Sequence, residues 1–194
     1  NGPSNEMTTD SLIKGMVGRE VTDIFPPRNA VIGDEALMAS NITTESLLKD
    51  VSIQIRRGEI VGLFGLAGAG RTELLRAIYG ADPLQSGEIR VKGKVVGTGA
   101  PRRSIALGLG LVPEDRKTEG LFLIQSVGFN IMSASLSRIL RYGLLVLGLE
   151  KNIVNGLIER LHIKTPGAAT ASKNLSGGNQ QKCVLARLVS AGCE

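Results

Sequence analysis

The stretch that decides the fold is Gly65-Leu66-Ala67-Gly68-Ala69-Gly70-Arg71-Thr72-Glu73-Leu74-Leu75. Its glycines follow the spacing G-x-x-x-x-G-[K]-[ST] of a phosphate-holding loop, with Arg71 standing at the lysine position. In such a loop successive backbone N–H groups point inward at the start of a helix, and the helix dipole adds to their pull on an anion. Glycine lets the backbone close on the phosphates. Thr72 is placed to ligate Mg2+ through its hydroxyl. The flanks agree. Ile60-Val61-Gly62-Leu63-Phe64 runs continuously apolar, as a strand buried on both faces would. Thr72–Tyr79 reads as a helix closed by Gly80, with Pro83 just beyond. A chain with 25 glycines can also match this spacing cheaply, and a glycine-rich turn can bind nothing.

Upstream, Leu48–Ile55 alternates apolar and polar, the period of a half-buried strand, and Arg57-Gly58-Glu59 makes a turn. Residues 1–35 are polar, contain Pro26-Pro27 and read as a linker, with a short helix at Ser11–Val17. Downstream, Ser86–Lys92 alternates as a strand and Pro101–Ala106 forms a short helix. Leu109–Val112 reads as a second buried strand, running into Pro113-Glu114-Asp115-Arg116-Lys117. Helices follow at Val127–Leu140 and Lys151–Leu161, then a polar loop at Thr165–Lys173. The last element is a helix opened by Leu175-Ser176-Gly177-Gly178-Asn179-Gln180-Gln181. Ser176 sits at its capping position with a hydroxyl free to bond a phosphate, which gives one chain a second anion-receiving helix start.

Bulk composition narrows the classes. At 194 residues, 42% hydrophobic and 21% charged, the chain is sized for one globular domain with a tail. No apolar run approaches the roughly 20 residues that span a bilayer, and no charged-then-apolar leader opens the chain. Two cysteines, Cys183 and Cys193, are too few for a disulfide framework and fit a reducing compartment. The net charge of +5 comes from scattered basic residues, and no Trp, two Tyr and four Phe give little to stack on bases, so no nucleic-acid partner is expected.

Three segments in order, Arg56–Leu75, Leu111–Leu121 (L-V-P-E-D-R-K-T-E-G-L) and Leu175–Lys182 (L-S-G-G-N-Q-Q-K), resemble an ABC-transporter ATPase domain. The likeness is specifically to the second of the two ATPase domains in bacterial sugar importers of the ribose, galactose and xylose type, and it covers about Met7 to Leu188. Even Met16–Glu20 resembles the segment joining the first ATPase domain to the second. The resemblance implies an α/β P-loop NTPase of ABC type, with a mixed sheet, an antiparallel β subdomain and a helical signature subdomain. Its expected division is a linker over 1–35, an ATP-binding core over 36–112, a helical subdomain over 113–181 and a signature helix cut short over 182–194. It implies that Gly65, Leu66, Ala67, Gly68, Ala69, Gly70, Arg71, Thr72 and Glu73 bind ATP, with Mg2+ on Thr72. It makes Leu175, Ser176, Gly177, Gly178, Asn179, Gln180 and Gln181 a signature facing ATP held by a partner domain, and Glu114 a γ-phosphate sensor.

The same resemblance implies partners: a preceding ATPase domain or a second copy, transmembrane permease subunits and, through them, a periplasmic or extracellular sugar-binding protein. The implied location is the cytoplasmic face of the plasma membrane. Three departures qualify it. Arg71 is larger and planar where lysine is usual. Asn41-Ile42-Thr43-Thr44 offers no aromatic to stack on adenine. After Ala191-Gly192-Cys193-Glu194 neither the family's Asp-Glu strand nor its switch histidine follows, and the sole histidine, His162, precedes the signature. The reading is therefore of a fragment ending after the signature helix, inactive alone, since the carboxylate that orients water is missing. The alternatives are an ABC ATPase outside transport and a catalytically inactive fragment.

Overall fold

Leu37, Ala39 and Ile42 are buried along β1 (Glu35–Thr43), a strand the sequence pattern did not place, inside a sheet two of whose other strands it did. In the computed structural model, which describes residues 30–141, 144–145 and 147–193, β1 pairs antiparallel with both β2 (Val51–Arg56) and β3 (Ser86–Val91). β4 (Lys94–Val96) follows β3 through a tight turn, giving the order β2-β1-β3-β4. Alternation along β1 breaks at Asn41, where φ is +52° and the register shifts against both neighbours. That bulge turns Ile42, not Asn41, into the core. Ile42 is fully buried, and Asn41 is tied by its side-chain amide to Asp50 Oδ1 at 2.7 Å.

The sheet packs on α1 (Arg71–Tyr79), which buries Leu74, Ala77 and Ile78 at i, i+3, i+4 spacing. Full burial of Ile42 and Ile89 in this core is worth about 1.5–3 kcal/mol each. Gly80 ends α1 in the left-handed region at φ +77°, its N–H bonding Ala77 O at 3.0 Å, as expected of a helix-closing glycine. Arg76 in the last turn forks onto Asp82, with Nε and Nη2 each 3.0 Å from a carboxylate oxygen. The short helix α2 (Pro101–Ala106) stands where the sequence placed it and is tied to α1 by Ser104 Oγ donating to Tyr79 O at 2.6 Å.

A second core holds the helical half: Val127, Ile131, Met132, Val154, Cys183 and Val184. It is built by α3 (Val127–Met132), α4 (Leu147–Arg160) and α5 (Gly177–Ala191), with a small hairpin of β5 (Leu140–Arg141) and β6 (Leu144–Leu145) beside it. The helix expected over Val127–Leu140 stops at Met132. Ser133 Oγ takes Asn130 O at 3.0 Å and Ser135 Oγ turns back to Met132 O, so hydroxyls claim carbonyls the helix would use. α4 begins at Leu147, a turn earlier than the pattern at Lys151 indicated.

Two expected strands differ. Neither Ile60–Phe64 nor Leu109–Val112 forms a strand, and Ile60 and Phe64 are 92% and 97% exposed. A strand buried on both faces exists only between neighbours, and among the described residues neither segment is paired into a sheet. No described helix is long and apolar enough to cross a membrane. The linker expected over 1–35 falls outside the described residues up to 29, as does the helix at Ser11–Val17. Cys183 and Cys193 are both free thiols.

Candidate functional site

The glycine loop leads from Ile60–Phe64 into α1, as its spacing required. Gly68 and Gly70 hold φ of +79° and +82°, and Ala69 N–H bonds Leu66 O at 3.1 Å to close the turn. A Cβ on Gly70 would stand 3.2 Å from Leu48 Cδ2, so glycine there serves both conformation and approach. Leu74 N–H reaches back to Gly70 O at 2.9 Å and starts the helix. The N–H groups of the first turn have no intrahelical carbonyl to bond. Ala67, Gly68, Ala69, Gly70, Arg71, Thr72, Glu73 and Glu114 line a recess of about 340 Å3 at this helix start. An adjoining recess of about 470 Å3 shares Arg71, Thr72 and Glu114 and is walled by Leu63, Leu111, Val112 and Pro113.

Glu114 enters from the far side of the loop, and Thr72 Oγ1 donates to its Oε2 at 3.2 Å. A hydroxyl and a carboxylate oxygen side by side suit a hard cation such as Mg2+. The amide-lined turn suits the anion such a cation accompanies. Arg71, exposed at the first helical position, supplies a guanidinium that can fork to phosphate oxygens. Next to Glu114, Asp115 accepts from Lys117 N–H at 2.8 Å, a bond that holds its carboxyl below the ordinary carboxylate value.

The segment expected to be a signature, Leu175–Gln181, lies at the start of α5. Ser176 has the backbone of an N-cap, but its hydroxyl makes no capping bond. It accepts instead from Asn179 Nδ2 at 2.9 Å, while Asn179 Oδ1 takes Lys164 N–H at 2.9 Å. Ser176 and Gly178 are exposed. Leu175 and Gln180 are buried, so they hold the turn and do not line its outer surface. Gln180 Nε2 donates to Ser172 O at 3.2 Å, and its Oε1 receives Arg116 Nε at 3.3 Å. Arg116 is the residue that sequence reasoning missed. Its only signal was membership of the quoted P-E-D-R-K run, and its partner lies 64 positions away. His162, at φ +50°, is exposed and offers its carbonyl to Lys182 Nζ at 2.8 Å.

A polyphosphate with its hard cation is what the loop recess can receive, which places the chain among the P-loop NTPases. The family model described as ABC transporter matches residues 48–194, and the chain belongs to that family. It is 42% identical over 190 residues to "Ribose import ATP-binding protein RbsA 2" of Streptomyces avermitilis, covering 98% of this chain and 38% of that one. It is 43% identical over 188 residues to "Ribose import ATP-binding protein RbsA" of Bacillus subtilis, covering 97% and 38%. A "Putative ribose/galactose/methyl galactoside import ATP-binding protein 1" of Rhizobium etli is 43% identical over 185 residues, covering 95% and 35%. The chain thus spans little more than a third of these relatives. Among solved structures, a nucleotide-free ATP-binding cassette from an ABC transporter superposes with TM-score 0.63 at 18% identity, over 82% of this chain and 66% of that one. A bacterial Atm1-family ABC exporter with ATP bound superposes with TM-score 0.62 at 20% identity, over 94% and 32%. The fold is that of an ABC-type P-loop NTPase, α/β with an antiparallel sheet.

Proposed function

We propose that this chain is an ATP-binding domain that powers import of a monosaccharide, with its signature as its main contribution to catalysis. One observation carries the proposal: loop and signature occur in the family's order, in a chain over 40% identical along nearly its whole length to ribose import ATP-binding proteins. Gly65–Glu73 holds the phosphates of ATP, and Thr72 with Glu114 holds Mg2+, whose chemistry is to neutralise phosphate charge. Glu114 senses the γ-phosphate. Arg71, bulkier than lysine and planar, makes this loop a weaker holder, consistent with the second of two ATPase domains. Leu175–Gln181 faces ATP held by a lysine-bearing loop on a preceding domain or second copy. There the exposed hydroxyl of Ser176, the first-turn amides at Gly177 and Gly178 and the positive end of α5 receive the phosphates.

The proposed organisation keeps an ATP-binding core over 36–112 and a helical subdomain over 113–181 that transmits closure to permease subunits. The site of action is the cytoplasmic face of the membrane, with a sugar-binding protein engaged through the permease. The test is Ser176→Arg in the assembled transporter. Its bulk and charge at the exposed N-cap should abolish ATP turnover and sugar uptake while ATP binding at the lysine-bearing loop persists. Turnover unchanged from wild type would refute the signature's role.

A further inference from the structure

An N-cap serine ordinarily spends its oxygen on the N–H of the second or third helical residue. Ser176 has the N-cap backbone, at φ −62° and ψ 156°, but makes no such bond. Asn179, at the third helical position, takes that oxygen with its side chain, Nδ2 donating to Ser176 Oγ at 2.9 Å. The direction of this bond is fixed from outside the helix. Asn179 Oδ1 lies 2.9 Å from Lys164 N, and a backbone N–H can only donate. The amide oxygen must therefore face Lys164, and the NH2 must face Ser176.

Lys164 is held in turn. Ile163 before it is buried in the helical core, with its N–H on Ile158 O at 2.9 Å. One residue earlier, His162 O accepts Lys182 Nζ at 2.8 Å. Lys182 follows Asn179 by three residues on α5, so two side chains from one helix face grip the same loop. The consequence falls on Ser176. Its oxygen already accepts a bond, and among the described residues its proton goes to no acceptor. The first helical bond of α5 is Gln180 N–H to Ser176 O at 2.9 Å, so the N–H groups of Gly177, Gly178 and Asn179 have no helical partner. Ser176 and Gly178 are exposed, and a Cβ built on Gly178 would meet nothing within 4 Å. The helix start is thus left open, with a hydroxyl proton and uncovered amides.

We propose that Asn179 is a positioning residue that holds the Ser176 hydroxyl off the helix cap, its proton free for a phosphate oxygen of nucleotide carried by a neighbouring domain. The proposal rests on the reading of Leu175–Gln181 as a signature facing such a nucleotide. Without Nδ2 the serine oxygen falls back onto a first-turn N–H as an ordinary cap, and both that amide and the hydroxyl are lost to the phosphate.

Steady-state ATP turnover by the assembled transporter tests this in a double-mutant cycle of Asn179→Ala and Ser176→Ala. Asn179→Ala should lower kcat about ten-fold, the factor for one misdirected hydrogen bond to a charged group. The Mg-ATP concentration for half-maximal turnover should move less than about two-fold, because the lysine-bearing loop supplies the ground-state binding. In the Ser176→Ala background the same substitution should lower kcat less than about two-fold, since no hydroxyl remains to be positioned. Asn179→Asp keeps the bond to Lys164 N–H and loses the donor to Ser176, so it serves if the first variant does not assemble. Its added charge acts in both backgrounds, and its loss should still shrink in the Ser176→Ala background. An equal loss in the two backgrounds, as a mere tether of the loop would give, overturns the proposal. So does wild-type turnover in either assembled Asn179 variant. Unimpaired turnover in Ser176→Ala also overturns it, and only if Ser176→Arg is unimpaired as well does the signature reading fall with it.

Discussion

Asn130→Asp changes one atom type in a fully buried side chain and should destabilise the domain in a pH-dependent way. Asn130 Nδ2 donates to Phe122 O, Ser126 O and Ser172 Oγ, each at 3.0 Å, and Oδ1 accepts Phe122 N–H at 2.8 Å. It thus joins the start of α3, the segment at Phe122 and the turn at Ser172 ahead of α5. Aspartate keeps the accepted bond but donates none of the three, and it sets a carboxylate against two carbonyl oxygens. Phe122 O and Ser126 O each keep a backbone N–H, from Gln125 at 2.9 Å and Asn130 at 3.0 Å, so what is lost is the bonding of two amide hydrogens, about 0.5–1.5 kcal/mol each and about 1–3 kcal/mol together, before any charge term. The charge adds a sign. Burial beside carbonyls raises the new carboxyl's folded pKa above its unfolded value near 3.9, so the neutral form is the tolerated one. The deficit should therefore be smallest at acid pH and grow as pH rises from about 4 through the raised folded value. Urea unfolding of both proteins at about pH 4.5 and about pH 7.5, followed by circular dichroism, reads both effects. A loss under about 1 kcal/mol, or one independent of pH, would refute the account of this network.

Gly70→Ala should destabilise the chain by about 1–2 kcal/mol for a left-handed non-glycine residue, with more from the 3.2 Å approach to Leu48 Cδ2. Thermal unfolding checks the stability, and weaker Mg-ATP binding should accompany it. Burial pushes the Cys183 thiol up from an ordinary 9.0 to about 11. At about pH 8 it should resist iodoacetamide in the folded chain while the partly exposed Cys193 reacts, and mass spectrometry of the two peptides decides. Because the unfolded thiol ionises first, stability should fall as pH rises from about 9 to about 11, and Cys183→Ala should flatten that slope.

What the sequence made legible was local. The phosphate loop could be placed because its glycines, its threonine and the helix behind them lie within a dozen residues, and Gly80 marked the helix end by the same short-range chemistry. Pro101 opened α2 where expected. β1 was hidden because its bulge at Asn41 puts core positions at 37, 39 and 42, a pattern without a period of two. The apolar runs at Ile60–Phe64 and Leu109–Val112 were visible, but a ladder depends on neighbours that a local pattern does not name. Leu175–Gln181 stood out as a motif in the sequence. Its support did not, since Gln180 to Arg116 and Asn179 to Lys164 are long-range choices of polar partner. Ser176 shows the limit in one residue: its position was legible, while the hydroxyl's bond to Asn179 was not.

The central claim is that the Gly65–Glu73 loop is a nucleotide site completed by Thr72 and Glu114. Isothermal titration of the purified chain with Mg-ATP, repeated with Thr72→Ala and with metal chelated, tests it most directly. The account predicts saturable binding in the micromolar-to-millimolar range, weakened by the substitution and by chelation. No binding at millimolar Mg-ATP, or binding indifferent to both changes, would contradict it.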